Sequence, residues 1–310
     1  MRLIVAATGL IFWTGLSICV NAQTTQQSSQ VWRVSEVTDA GIPTEIVPDR
    51  REIAPNGLPD GRVTVANGNI AAAWYSEPTK RYAHAVLGDA VEAGALKVRN
   101  KSGKTFTFRL SSTQVFEDIA PRLADLDGDG KTEVIAILSS KDQGGSIAIF
   151  QLNGNAFLKV AQSPFIGRPN RWLNIAEIDT FFGGARPVIA AVITPHLRGL
   201  LHFYQFKNNQ LKLIARGQGF SNHFIGSNEL RLSAVGDVNK NDIPDLAIPS
   251  LSRNELVILG MNQNKMVELA RARLPARINR AIAYKPKADG TPRFFVGLDD
   301  QKIYSVTPEN

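Results

Sequence analysis

"ADLDGDGKTEVIAIL", residues 124–138, joins an acidic loop directly to an apolar segment. The residues "EVIAILSS" are short, rich in β-branched side chains and bounded by polar residues, which predicts a buried strand. Gly130 supplies the positive φ that a tight turn needs. The acidic residues are therefore expected to lie on a turn between two strands.

The acidic loop offers the oxygen ligands that a hard cation such as Ca²⁺ prefers. Asp125, Asp127 and Asp129 alternate along the loop, Glu133 begins the predicted strand, and Lys131 contributes its backbone carbonyl. Carboxylates this close together repel one another unless a cation neutralises them. These five residues are predicted to bind Ca²⁺. The alternative is a solvated acidic turn without an ion.

The loop differs from the helix–loop–helix calcium motif, although it begins in the same way. That motif needs a bidentate Glu at its twelfth loop position, where this chain has Ala136. A helix should also follow the loop, whereas a strand is predicted here. The cation is therefore expected to stabilise a turn within a larger β structure, without acting as a switch.

The N terminus has the layout of a cleaved secretory signal. Arg2 precedes an apolar stretch that reaches Val20, and a small-residue cleavage site ends at Ala22. Residues 1–22 are predicted to be a signal peptide, which implies a periplasmic or secreted protein. An uncleaved membrane anchor is the alternative, because the apolar core is near the length of a membrane span. The single cysteine, Cys19, lies in this segment, so the mature chain is expected to lack disulfides.

The charge of the chain is moderately positive. The formal net charge of +7 becomes +6 when Arg2 leaves with the signal peptide. No basic run with interleaved aromatic residues occurs, so nucleic acid is not an expected partner. No later apolar stretch is long enough to span a bilayer, so a membrane span is not expected after signal cleavage.

Three hairpin sequences repeat along the chain. Residues 146–162, 200–216 and 255–271 align without gaps, and each pairs two apolar-rich stretches around a polar turn. A shorter version occupies residues 96–110. The spacing of about 50 residues is that of the four-stranded blades of a β-propeller.

A second acidic loop, "GDVNKNDIPDLAIPS" at residues 236–250, aligns with the first. It has two fewer carboxylates and places Asp242 where glycine is preferred, so weaker Ca²⁺ binding is expected. The predicted ligands at matching offsets are Asp237, Asn239, Asn241 and Asp245.

The loop between these two keeps only its turn chemistry. "AEIDTFFGGARPVIAAV", residues 176–192, retains Asp179 and a Gly183-Gly184 pair but has lost the ligand series. This loop is predicted to be free of metal.

The acidic pattern between two strands, repeated along the chain, resembles the FG-GAP or VCBS-type repeats of integrin α-subunit propellers and many exported bacterial proteins. The resemblance covers most of the mature chain as a repeat, is strong as a motif at residues 125–133 and is partial at residues 237–245. It implies a β-propeller with Ca²⁺ in the turn between the first and second strands of some blades. It implies no single activity, because a fold does not fix a function.

The repeats favour five blades, with six or seven as alternatives. The blades are expected to begin near Val63, Ile119, Leu173, Leu232 and Ala281, and the last contains only three strands. A fourth strand is expected from the N-terminal part, either "QVWRVSEV" at residues 30–37 or "GRVTVA" at residues 61–66, which would close the ring. Residues 23–50 are therefore predicted to be a leader with a possible ring-closing strand. Residues 51–310 are predicted to be one β-propeller domain.

The loops at the end opposite the metal turns are predicted to form a ligand-binding face. In a four-stranded antiparallel blade, the turn between strands two and three and the connector to the next blade lie at that end. Planar cations, imidazoles and an amide there suit an anionic or polyhydroxylated ligand. The alternative is an ordinary set of exposed loop residues. The predicted residues are Arg168, Arg171, His196, Arg198, Asn222 and His223.

A non-catalytic binding or scaffolding module for an envelope protein or glycan is the predicted function. The competing class is an envelope polysaccharide hydrolase or lyase that uses Glu92, Glu117 and Asp118 on the same face. A purely structural repeat protein is a third alternative. A zinc or catalytic site would use His84, His196 and His223, although no two of them have the spacing of a local metal motif. The sequence contains no nucleophile elbow and no phosphate-binding loop.

Overall fold

The computed structural model describes residues 31–38, 42–47, 49, 51–54, 56–262 and 265–309. The predicted signal peptide and the start of the predicted leader lie outside these residues. Within the described ranges the chain is all-β, apart from one short 3₁₀ helix, η1 (Thr44–Ile46). No helix of this part of the chain is long and apolar enough to cross a membrane.

The strands fall into five consecutive groups of four antiparallel strands, here called β groups, with one additional strand. The first group contains β2 (Thr64–Val65), β3 (Ile70–Thr79), β4 (Glu92–Asn100) and β5 (Thr105–Arg109). The second contains β7 (Arg122–Ala124), β8 (Glu133–Ser140), β9 (Gly144–Asn153) and β10 (Ala156–Gln162). The third contains β11 (Leu173–Asp179), β12 (Val188–Ile193), β13 (Leu200–Lys207) and β14 (Gln210–Gln218).

The fourth group contains β15 (Ala234–Gly236), β16 (Asp245–Pro249), β17 (Glu255–Asn262) and β18 (Lys265–Arg273). The fifth contains β19 (Ile278–Tyr284), β20 (Phe294–Leu298), β21 (Ile303–Pro308) and the N-terminal strand β1 (Trp32–Glu36). The additional strand, β6 (Gln114–Phe116), pairs with both β4 and β8 and joins the first two groups into one nine-stranded sheet.

The N-terminal strand completes the C-terminal group. β1 pairs antiparallel with β21, from Trp32 opposite Pro308 to Glu36 opposite Tyr304. The prediction that residues 30–37 donate the missing strand is confirmed by this pairing. The other candidate segment, residues 61–66, contributes β2 to the first group. The first and last described strands, β1 and β21, therefore lie side by side in one sheet.

Central strands are buried on both faces, as the apolar run in β8 predicted. All eight residues of β8 are buried. Ile135 and Ile137 pack in one cluster with the third group, whereas Val134, Ala136 and Leu138 pack in another with the first group. Successive side chains of a strand point to opposite faces, so a single apolar strand holds together two neighbouring groups.

The segment before β2 connects the fifth and first groups. Ile46 packs against Ala283 and Phe295 of the fifth group. Ala54 packs against Val63 and Ala72 at the first group. Ile46 therefore contacts the fifth group and Ala54 contacts the first group.

The loops separate into two sets because the strands are antiparallel. The loops at residues 125–132, 180–187 and 237–244 all join the first and second strands of a group. The connectors at residues 163–172 and 219–233 and the turn at residues 194–199 lie at the other end. The acidic loops and the predicted ligand-binding loops are therefore at opposite ends of the strands.

Candidate functional site

Three carboxylates meet in the acidic loop between β7 and β8. Asp125, Asp127 and Glu133 each offer an oxygen, and these oxygens lie within 4.8 Å of one another. The group fits a hard cation that takes carboxylate oxygens. The sequence identified all three residues because they lie within nine positions of one another.

Asp125 also holds the loop in its turn conformation. Its Oδ1 accepts the N–H of Gly128 at 2.7 Å, and its Oδ2 accepts the N–H of Gly130 at 2.9 Å. Gly130 has a φ of +80°, as its place in the turn predicted. These backbone N–H groups therefore hold the carboxylate of Asp125 within the loop.

Glu133 is the buried member of the group. Its side chain accepts the N–H of Leu126 at 2.7 Å and the amide of Gln151 at 3.2 Å, and the residue is 1% exposed. Burial, together with the charge of Asp127, raises the pKa of Glu133 to about 7. A cation at the loop would favour the ionised form of this carboxyl group.

Asp129 lies outside the group of three. Its Oδ2 is 3.2 Å from Nζ of Lys131, and its Oδ1 accepts the N–H of Lys131 at 2.8 Å. These hydrogen bonds lower the pKa of Asp129. Of the four predicted carboxylate ligands the structure brings together three, because the fourth pairs with the lysine that follows it.

The second acidic loop repeats the geometry with fewer charges. Asp245 begins β16 and accepts the N–H of Val238 at 2.8 Å, which matches the bond from Leu126 to Glu133 in the first loop. Asp245 is fully buried, and its Oδ1 has no hydrogen-bond partner among the described residues. A buried carboxylate oxygen without a donor is costly, so a cation fits this position.

Two of the other predicted ligands of the second loop accept hydrogen bonds from backbone N–H groups within the same loop. Asp237 accepts the N–H groups of Asn241 and Asp242 at 3.1 and 2.9 Å. Asn241 Oδ1 accepts the N–H of Ile243 at 2.9 Å, and Asn239 is exposed. Asp242 adopts a φ of +61°, so an aspartate takes the position that glycine has in the first loop. Two carboxylates instead of three support the expectation of weaker binding.

At the opposite end, all three arginines of the predicted ligand-binding face line one cleft. Arg168 and Arg171 come from the connector between β10 and β11, and Arg198 comes from the turn between β12 and β13. The cleft has a volume of about 700 Å³, and no carboxylate lines it. The arginines make its rim cationic.

The walls of the arginine cleft are apolar, and the sequence did not predict them. His202 and Tyr204 add one polar pair, with His202 Nδ1 3.0 Å from the Tyr204 hydroxyl. The apolar residues come from the connector, the turn and the outer hairpin of the third group, so no local sequence pattern unites them. They include Phe165, Ile166, Leu197, Leu200, Leu211 and Leu213.

His196 and His223 are paired with each other and do not line the arginine cleft. His223 donates from Nε2 to the carbonyl of Ser227 at 2.7 Å, so its Nδ1 accepts the proton of His196 Nε2 at 2.9 Å. Burial lowers the pKa of His196 to about 4 and that of His223 to about 3, so both rings are neutral at pH 7. His196 borders a small cavity of about 40 Å³ beside the cleft, together with Arg171.

His223 and Asn222 are the two face residues that the structure buries completely. Asn222 is held by Asn174, whose side-chain amide donates to the carbonyl of Asn222 at 3.2 Å. The expectation that these two side chains contact a ligand is therefore corrected, because both are buried inside the protein. Polar residues in a connector need not face solvent when neighbouring strands supply hydrogen bonds.

The alternative of a three-histidine metal site is not supported by the geometry. His84 Nδ1 lies 2.5 Å from Oε1 of Glu117, whereas His196 and His223 form a hydrogen bond with each other, although His84 and His196 border the same small cavity. Within the part of the chain that the structure describes, the group of residues close enough to hold a metal is the acidic triad, which contains no histidine.

The carboxyl groups considered for glycoside cleavage are inaccessible. Glu117 and Asp118 are fully buried and Glu92 is 2% exposed. Asp118 pairs with Arg122 and accepts a hydrogen bond from the Tyr75 hydroxyl at 3.1 Å. A polymeric substrate cannot contact these groups in this conformation.

Glu92 is buried close to several other carboxyl groups. Burial, together with the charges of Glu117 and Asp89, raises the pKa of Glu92 to about 9. The side chain is therefore protonated at neutral pH.

A scan against protein-family models gives no match, and a search of curated proteins gives none either.

Proposed function

We propose that this protein is an exported, Ca²⁺-stabilised β-propeller that acts as a non-catalytic binding module for an envelope protein or glycan. The observation that carries the proposal is the arginine cleft, with a volume of about 700 Å³, three arginines and no lining carboxylate. Such a site favours an anionic ligand, because guanidinium groups form strong, charge-assisted hydrogen bonds with carboxylates and phosphates. The ligand is expected to bind at the end opposite the acidic loops.

Five blades closed by the N-terminal part of the chain would account for the arrangement of the β groups. The groups follow one another in the sequence, and β1 supplies the strand that the fifth group lacks. Ile46 contacts the fifth group and Ala54 contacts the first group, which supports closure near these residues. The resemblance to FG-GAP and VCBS-type repeats leads to the same architecture.

Calcium would stabilise the fold at two turns. The first loop supplies Asp125, Asp127 and Glu133, and the second supplies Asp237 and Asp245. Extracellular modules bind Ca²⁺ with Kd values of about 10⁻⁴ to 10⁻³ M, so millimolar calcium should add about 0.5 to 1.5 kcal/mol per site. The acidic turns lie at the opposite end of the strands from the arginine cleft. Bound calcium is therefore expected to stabilise the fold without contacting the ligand.

Partner capture from an envelope extract tests the proposed function. The bait would be the mature protein from Gln23 onward in calcium, compared with a variant in which Arg168, Arg171 and Arg198 are changed to alanine. The matched control changes Lys207 and Lys212, two exposed cations of the β13–β14 hairpin, to alanine.

An anionic partner retained by the wild type and the lysine control, but lost by the arginine variant, is the expected result. Equal capture by all three proteins would remove the support for the cleft. Turnover of an envelope polysaccharide that disappears when Glu117 is changed to glutamine would favour the enzyme alternative.

A further inference from the structure

The connector that carries Arg168 and Arg171 is held tightly against the turn between β8 and β9. Gly145 donates its N–H to the carbonyl of Arg171 at 2.7 Å, and Gly167 donates to the carbonyl of Gln143 at 2.9 Å. Gly144 has a φ of +72°, and a Cβ there would lie 2.5 Å from the carbonyl oxygen of Arg168. Only glycine permits this close approach without displacing the backbone. The backbone that carries Arg168 and Arg171 is therefore fixed by hydrogen bonds and close packing.

The turn that carries Arg198 is also ordered. Gly199 donates its N–H to the carbonyl of Thr194 at 3.0 Å, and Thr194 donates to the carbonyl of Trp172 at 2.9 Å. The same turn presents Leu197, which is 56% exposed. A cation and a large apolar side chain thus stand next to each other at the mouth of the cleft.

The cationic groups of the cleft are not neutralised by the protein. Among the described residues, neither Arg168 nor Arg198 has an ion-pair partner, and Arg171 donates only to the carbonyl of Asn170 at 2.9 Å. No acidic side chain lines the cleft. The site can therefore accept more than one negative charge.

The lining also distinguishes between classes of anionic ligand. It contains no carboxylate and no carboxamide side chain, and large apolar residues occupy most of its surface. A glycan presents many hydroxyl groups that need both donors and acceptors, and burying them against apolar walls would leave hydrogen bonds unmade. A peptide can instead place an apolar side chain against the walls and carboxylates near the arginines.

We infer that the arginine cleft binds an acidic peptide segment, with a bulky apolar side chain inside the cleft and flanking Asp or Glu side chains on Arg168, Arg171 and Arg198. The inference rests on the proposed function, because it names the ligand class of the same site. Binding is expected to weaken as salt increases, because part of the affinity is electrostatic.

A random peptide library displayed on phage provides an unbiased test. Selection on the wild type in calcium should enrich peptides in which at least two acidic residues flank a bulky apolar residue. A synthetic copy of the most enriched peptide should bind about tenfold more weakly when Arg168 or Arg198 is changed to alanine. It should bind the variant with Lys207 and Lys212 changed to alanine as tightly as the wild type. Circular dichroism and melting would verify that each variant is folded.

A parallel titration with oligogalacturonate, an acidic glycan, separates failure of the inference from failure of the proposed function. Arginine-dependent binding of oligogalacturonate with no enriched acidic peptide would overturn the peptide inference and leave the binding module intact. Absence of both peptide enrichment and glycan binding, or binding that is unchanged in the arginine variants, would overturn both.

Discussion

At the scale of single residues, the two acidic loops show why a carboxyl group at the start of a strand matters. Glu133 and Asp245 occupy the first position of β8 and β16, and each accepts a backbone N–H from within its loop. Both are buried, so each carries a desolvation cost that a bound cation would offset. The sequence predicted these residues because the ligands lie close together along the chain. It did not predict that Asp129 pairs with Lys131, because side-chain pairing within a turn is not visible in the spacing.

Changing Asp127 to alanine should remove the part of the chelator-sensitive thermal stability that comes from the first acidic loop. Loss of one site is expected to lower the melting temperature in millimolar calcium by about 1 to 4 °C. Changing Asp129 to alanine is the control, because this side chain lies outside the group of three. Differential scanning fluorimetry with calcium and with chelator measures both. A wild-type melt that chelator does not move would contradict the metal assignment.

The protonated state of Glu92 makes stability depend on pH. Its pKa is raised from 4.5 to about 9 in the folded protein, which therefore holds a proton that the unfolded chain loses above its own pKa. The free energy of unfolding should consequently fall as pH rises through this window, by up to about 1.4 kcal/mol per pH unit.

Changing Glu92 to glutamine should remove this contribution. The variant should gain stability relative to the wild type between about pH 5 and about pH 8, because the amide stays neutral throughout. Urea denaturation at the two pH values measures the difference, with Glu52→Gln at an exposed position as the control. A gain that is the same at both pH values would show that Glu92 is ionised in the folded state.

At the scale of elements, the parts with local sequence signals are the parts that the sequence predicted. The three repeated hairpins at residues 146–162, 200–216 and 255–271 correspond to β9–β10, β13–β14 and β17–β18. By contrast, β6 has only three residues and no periodicity, and its role between β4 and β8 depends on long-range pairing. The apolar walls of the arginine cleft escaped prediction for the same reason, since they come together only when β13 and β14 fold against the connector.

The pairing of β1 with β21 gives a test at the scale of the element. Trp32 is 9% exposed, lies in the cluster shared by the fourth and fifth groups and has its ring centroid 6.3 Å from that of Phe294. Changing Trp32 to alanine should lower the free energy of unfolding by about 3 kcal/mol, because it leaves a cavity. Val31, which is 61% exposed, should tolerate alanine with little effect. Guanidinium denaturation compares the two variants, and an equal effect would argue against the pairing of β1.

At the scale of the whole molecule, the two ends of the antiparallel strands carry different candidate sites. Acidic turns lie at one end, and the arginine cleft lies at the other, so the proposed cation and ligand do not share residues. The sequence predicted this division from the order of strands and turns. It did not predict which face residues would be buried, because the burial of Asn222 and His223 depends on strands of neighbouring groups.

The account is tested most directly by measuring ligand retention with two proteins in two conditions. The wild type and the variant with Arg168, Arg171 and Arg198 changed to alanine would be compared in calcium and in chelator, at a temperature where both are folded. The account predicts that the arginine changes abolish retention in both conditions, while the chelator leaves retention by the wild type unchanged. Retention by the arginine variant equal to that of the wild type would contradict the account.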